Sequence, residues 1–148
     1  MDYLLDQPHW EVAGVQDLDA FFLALADLCP DRATLCIAEC SWPPAVREAL
    51  SKVAVTADPS ARLVSEFDQA CRVPITLETM DFLSDLAKRH AELDIGIHFA
   101  VYVEGEPCLE WFDAIADPIC LSSSFHEFQV QRFADDLRAQ YQRLLGGV

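Results

Sequence analysis

At 148 residues, with 52% apolar and 24% charged side chains, the chain has the size of one domain around one core and too much aliphatic and aromatic content to remain disordered. Its 25 acids against 10 bases give a net charge of −15, which speaks against direct contact with nucleic acid and for a basic partner. Met1 to Asp6 carries acids where a secretory signal carries Lys or Arg, and the longest apolar run, Ala20 to Ala26, is far below the roughly 20 residues that span a bilayer, so a soluble, cytoplasmic protein without a membrane contact is expected.

In chain order, His9 to Ala13 reads as a short first strand. Leu18, Phe21, Phe22, Leu25 and Leu28 then recur at helical spacing with Asp17, Asp19 and Asp27 between them, and Pro30 closes an amphipathic helix with an acidic outer face. Thr34 to Cys40 is a compact apolar strand of the kind covered on both sides. Ser41 or Trp42 is the expected cap of a helix opened by Pro43 and running to about Val53. Leu63 to Phe67 is a weaker strand candidate. Thr76 caps a third helix whose stripe is Leu77, Met80, Leu83 and Leu86/Ala87.

The clearest β signal is Ile95 to Glu104, where Ile95, Ile97, Phe99, Val101 and Val103 alternate with Gly96, His98, Ala100, Tyr102 and Glu104. Gly105-Glu106-Pro107 turns the chain and Cys108 to Ile115 returns as a hairpin. Matching the apolar faces puts Leu109, Trp111 and Ile115 with the Ile/Phe/Val side and Glu110 beside Tyr102 and His98; a one-residue slip would bury an unpaired Glu110 and is disfavoured. Ile119 to Leu121 adds a short strand. Ser124 and Glu127 have capping-box spacing, and a last helix follows through Val130, Phe133, Leu137, Tyr141 and Leu144 to Gly146-Gly147. The expected architecture is a single domain over 1–148 of α/β (α+β) class: a mixed sheet with helices packed on it, in the order β-α-β-α-β-α-β-β-(β)-α.

Signatures of common chemistries are missing. Five dispersed glycines form neither a phosphate loop nor a dinucleotide fingerprint, and there is no Gly-x-Ser-x-Gly elbow, Cys-x-x-Cys pair or His-Glu-x-x-His. No cofactor and no metal are expected. The six cysteines read as small buried hydrophobes; Cys36 and Cys40 on an extended strand stand about 13 Å apart, too far for a disulfide or for one metal. His90 beside Lys88 and Arg89 suits a helix C-terminus, and His126 lies in the first turn of the last helix. His98 is the histidine of interest, on a central strand near Glu110 and Asp113, with a cross-strand hydrogen bond as the plain alternative to acid/base work. An enzyme reading assembles Cys71, activated by Arg72 and a helix N-terminus, with His98 and Asp113 as a hydrolase-like set.

The charge is segregated. Residues 1–31 hold seven acids and 90–131 hold eight, with no Lys or Arg in either. Two base-free segments suggest a face that steers a basic protein, with Trp10, Asp17, Asp19, Asp27, Glu104, Glu106, Glu110 and Asp113 as its candidates, provided the segments adjoin in the fold. Trp111 has the phase of a core residue. The expectation is a small acidic binding protein, of the immunity type that neutralises a basic partner or toxin by covering it, rather than an enzyme; the alternatives are the Cys/His/acid hydrolase and a nucleic-acid mimic.

Overall fold

A computed structural model describes residues 3–38, 42–54, 70–96 and 98–145. In chain order they form a 3₁₀ turn at Leu4–Asp6, β1 (His9–Ala13), α1 (Leu18–Leu28), β2 (Ala33–Ala38), α2 (Pro44–Ser51), β3 (Ala70–Pro74), α3 (Leu77–Arg89), a short helical turn α4 (Glu92–Ile95), β4 (His98–Val103), β5 (Glu106–Trp111), β6 (Ile119–Ser122), α5 (Glu127–Asp136) and β7 (Gln140–Leu144). Seven strands make one sheet in the order β3-β2-β4-β5-β6-β1-β7. The α+β class read from the sequence holds. The sheet expected to be mixed in direction is antiparallel in every pairing among the described residues, because β1 and β2, although joined by α1, are separated in the sheet by β4, β5 and β6.

The main core lies between the helices and one face of the sheet. Period-two alternation points Trp10 and Val12, Leu35 and Ile37, Phe99 and Val101, Leu109 and Trp111, and Ile119 and Leu121 to that face, where they meet Leu18, Phe21, Phe22 and Leu25 of α1, Met80, Leu83 and Leu86 of α3, and Val130 and Phe133 of α5. Phe21 sits at the centre, with ring centroids 4.7 Å from Trp111, 5.5 Å from Phe99 and 5.6 Å from Phe22. Each such aromatic pair adds about 0.5–1.5 kcal/mol beyond its buried area. The opposite face carries a smaller apolar patch of Cys36, Ala38, Ala100 and Tyr102 with Phe112 against it. The strand His98–Val103 is therefore covered on both sides, where the sequence pattern implies one.

The hairpin takes the register favoured by face matching: Phe99 opposes Trp111, Ala100 opposes Glu110 and Val101 opposes Leu109. Its turn is tighter than expected. Glu104 and Gly105 alone form it, both in the left-handed region at φ 52° and 82°, the backbone of a two-residue primed turn whose twist suits the strands. A bulge between Val101 and Tyr102 absorbs the extra residue on β5.

Several boundaries move. Trp42 does not cap α2: Pro43 holds the cap position and Pro44 opens the helix, while the Trp42 indole donates to the carbonyl of Ile95 at 2.8 Å. Thr76 does cap α3, accepting from the Thr79 amide at 3.1 Å, but Leu77 is 70% exposed and leaves the stripe. Ile95 belongs to α4 rather than to the strand, and is still buried. The last helix starts later and stops earlier than its pattern suggests. The Ser124 amide bonds Ser122 Oγ, and the helix opens behind His126, whose amide donates to Gln129 Oε1 at 2.9 Å. It ends at Asp136; Arg138 adopts φ 54°, and Gln140–Leu144 becomes a strand that closes the edge of β1, pairing Trp10 with Arg143 and Val12 with Tyr141. β3 is likewise a strand that the sequence reading lacked. Ser41, Cys40, Ile97, Gly146-Gly147 and the Leu63–Phe67 candidate lie outside the described residues.

Candidate functional site

One rung of side chains crosses the sheet on the face away from the core. Glu11 of β1 opposes Cys120 of β6, which opposes Glu110 of β5, then Ala100 of β4, Cys36 of β2 and Arg72 of β3. The 3₁₀ turn lies over β5 and β6 on this face. Leu4 is buried there, and its backbone N–H donates to Glu110 Oε1. Tyr3 meets Phe112 edge to face at 5.9 Å. Between turn and sheet opens a cleft of about 560 Å³. Its walls carry the acidic residues Asp6, Glu11, Glu110 and Asp117, the rings of Tyr3, Phe112 and His98, and the Cys120 thiol, with no Lys or Arg among the described lining residues.

Two histidines border this region, with opposite tautomers. His98 Nδ1 accepts from the Asp113 backbone N–H at 3.1 Å, so its proton sits on Nε2. His9, 1% exposed, has Nδ1 2.7 Å from the Gln7 carbonyl; a carbonyl only accepts, so Nδ1 carries the proton. Its Nε2 lies 3.2 Å from Glu11 Oε2. His9, Glu11 and Cys120 bring one ligand atom each within 4.8 Å of the others. The Cys120 thiol is pushed up to about 12, first by burial and then by the charges of Glu11, Glu110 and Asp117.

The hydrolase-like set is not assembled. Cys71 opposes Ile37 and packs on the core side of the sheet, whereas His98 projects from the other face. Burial raises the Cys71 thiol to about 11, with Cys36 adding to the shift, the reverse of activation. Asp113 is exposed and reaches His98 through its backbone amide. No family model, characterised protein or solved structure matches the chain. The cleft therefore has to be read from its own chemistry.

The partner-face candidates divide between two layers. β1 pairs with β6, so the two base-free segments adjoin, and both supply the cleft: Asp6 and Glu11 from the first, Glu110 and Asp117 from the second. Glu110 is buried and held by Leu4, while Glu104 and Glu106 are exposed at the hairpin tip. Asp17 stands at the N-cap of α1 and Asp19 and Asp27 lie on it, on the other side of the sheet, and Asp27 pairs with Arg132 at 3.0 Å. Trp10 is a core residue, 5% exposed; its indole donates to the Phe125 carbonyl at 3.2 Å, and its ring is covered by Arg143 and Tyr141. Trp111 is fully buried, as its phase implied, donating to the Asp117 carbonyl at 2.7 Å.

Asp6, Asp117, Cys120 and His9 lie outside the sequence candidates. The available signal is the strand alternation of His9 to Ala13: His9 and Glu11 are two apart on a strand and so share a face. What placed Cys120 beside them is the β1–β6 pairing, which has no local signature. A larger depression of about 930 Å³ lies by the hairpin tip, between the end of α1 and the start of α5. It holds Cys29 and Cys108, whose hydrogen bond, with burial, raises the Cys29 thiol.

No helix among the described residues is long and apolar enough to cross a membrane.

Proposed function

We propose that the protein is a binding module for a basic protein, with the acid-lined cleft receiving a Lys or Arg side chain of the partner. The observation that carries this is the lining: four acidic residues from three separate elements and the loop before β6 border an aromatic-walled space whose described lining residues include no Lys or Arg. A guanidinium or ammonium entering it gains charge-assisted hydrogen bonds and ring contact together. The exposed acids of the hairpin tip, Glu104 and Glu106, add to the field that speeds encounter. Inhibition of a toxin by covering it, as immunity-type proteins do, is the role this reading favours, in the cytoplasm.

The test is capture from the native host by the immobilised full chain at low and at high salt, beside a variant with Asp6→Asn, Glu11→Gln, Glu110→Gln and Asp117→Asn. A basic protein retained by the native chain at low salt, released at high salt and not retained by the variant is the expected result. Retention by both proteins alike, or no basic partner at either salt, refutes the cleft as the docking point.

A further inference from the structure

We infer that His9, Glu11 and Cys120 form a binding site for a divalent transition-metal ion of zinc type at the wall of the cleft. The inference does not depend on the basic-partner reading. It starts from the tautomer of His9. With its Nδ1 proton committed to the Gln7 carbonyl at 2.7 Å, the Nε2 lone pair points toward Glu11 Oε2 at 3.2 Å. Two lone pairs facing each other are attractive only when something positive lies between them, either a second proton or a metal ion. An imidazole whose outer nitrogen donates to a backbone carbonyl, fixing the ring and making the inner nitrogen more basic, is the arrangement found around metal-ligating histidines.

The neighbours favour the metal. Cys120 Sγ completes a set in which one nitrogen, one oxygen and one sulfur all lie within 4.8 Å of one another. Zinc bonds of about 2.0–2.3 Å bring such ligand atoms to separations of about 3.3–3.8 Å, so small side-chain rotations close the site. The mixed donor set suits a borderline-soft ion rather than Mg²⁺ or Ca²⁺, which take oxygen. A single proton bridges only the His9–Glu11 contact; a dication engages Cys120 as well, displacing the thiol proton to solvent. The backbone framework is rigid: His9 and Glu11 are alternate residues of β1, and Cys120 is the direct antiparallel partner of Glu11. Since Glu11 and Cys120 both line the cleft, the ion enters from there and keeps its remaining position open to water.

Cobalt(II) titrated into the full-length native protein at neutral pH tests this directly. Expected are one equivalent bound, a thiolate-to-cobalt charge-transfer band in the near ultraviolet, and loss of that band when Zn²⁺ is added. Cys120→Ser abolishes the band while retaining weaker ligand-field absorption, and His9→Gln or Glu11→Gln lowers Zn²⁺ affinity by more than the ~10–100-fold that outer-shell changes cost. Circular dichroism of each apo variant checks the fold. Should His9→Gln fail to fold, the half-buried Cys120→Ser still decides the matter. A missing band in the native protein, or one unchanged in Cys120→Ser, overturns the site. His9→Gln and Cys120→Ser leave all four cleft carboxylates in place, so partner capture by these variants separates failure of the metal site from failure of the docking reading.

Discussion

Replacing Glu110 two ways separates its structural bond from its charge. Its carboxylate is 3% exposed and accepts the backbone N–H of Leu4 across the cleft floor, which ties the 3₁₀ turn to β5. Glu110→Ala leaves that N–H, carried by a buried residue, without its acceptor. A hydrogen bond to a charged group contributes about 1.5–3 kcal/mol, so the expected loss is about 2 kcal/mol, or a fall in Tm of about 4–8 °C for a chain of this length. Glu110→Gln keeps an acceptor oxygen at the same reach and removes only the charge. It is expected to stay within about 1 kcal/mol of the native protein while losing affinity for a cationic partner. Urea unfolding followed by Trp fluorescence gives the stabilities, and hydrogen exchange at the Leu4 amide reports the local bond: protected in the native protein and in Glu110→Gln, rapid in Glu110→Ala. A Glu110→Ala protein with native stability and a protected Leu4 amide would refute the clamp, and with it the account of how the cleft is kept open.

Two further predictions concern the frame around the site. Gly96 enters β4 where an added Cβ would lie 2.6 Å from Ile37 Cγ2 and 3.2 Å from Phe99 Cζ, both in the core; Gly96→Ala is therefore expected to cost about 1–3 kcal/mol by overpacking, measured as a lower urea midpoint, and an unchanged midpoint would show that this junction has slack. The thiols give a pH signature: the folded Cys71 thiol is raised from its ordinary value near 9 to about 11, so the folded state holds the proton more tightly, and its contribution is full below about pH 9 and lost as pH rises through about 11. Stability measured across that window should fall, and the fall should be shallower in Cys71→Ala; identical slopes would exclude Cys71 as a source.

The parts of the fold that the sequence revealed are those where local pattern and packing agree. The alternation from Phe99 to Val103 and the matching alternation of Leu109 and Trp111 determined the hairpin register, since a slip would turn Trp111, fully buried in the structure, to the other face. The spacing Val130, Phe133, Leu137, Tyr141 is equally regular, yet helix stops after Asp136. Tyr141 is instead placed by β1, whose outer edge would be unpaired without Gln140–Leu144. A pairing between residues about 130 positions apart leaves no trace in a local window. The same holds for the site. The carboxylates were countable, and the face each takes follows from strand phase, but the convergence of Glu11, Cys120 and Glu110 depends on β1 and β5 both pairing with β6. The capping box shows the milder case: Ser124 and Glu127 have the right spacing, but His126 and Gln129 have it too, and the helix opens behind His126.

The rung also bears on the proposal of an outside cation. Arg72 stands in the same row as Glu110, with β2 and β4 between their strands. Three inter-strand steps of about 4.8 Å put the two backbones roughly 14 Å apart. Arg72 is 3% exposed. On the other side the row ends at β7, whose Arg143 points to the core side and covers Trp10; the residue in the row is Gln142. Among the described residues neither end of the sheet brings a Lys or Arg to the cleft, and the segments before β1 and between β4 and α5 contain none. The two proposals therefore place a positive ligand where β1, β6 and β5 bring these acids together: a partner's side chain in the open part of the cleft, and a metal ion where His9 and Cys120 supply nitrogen and sulfur.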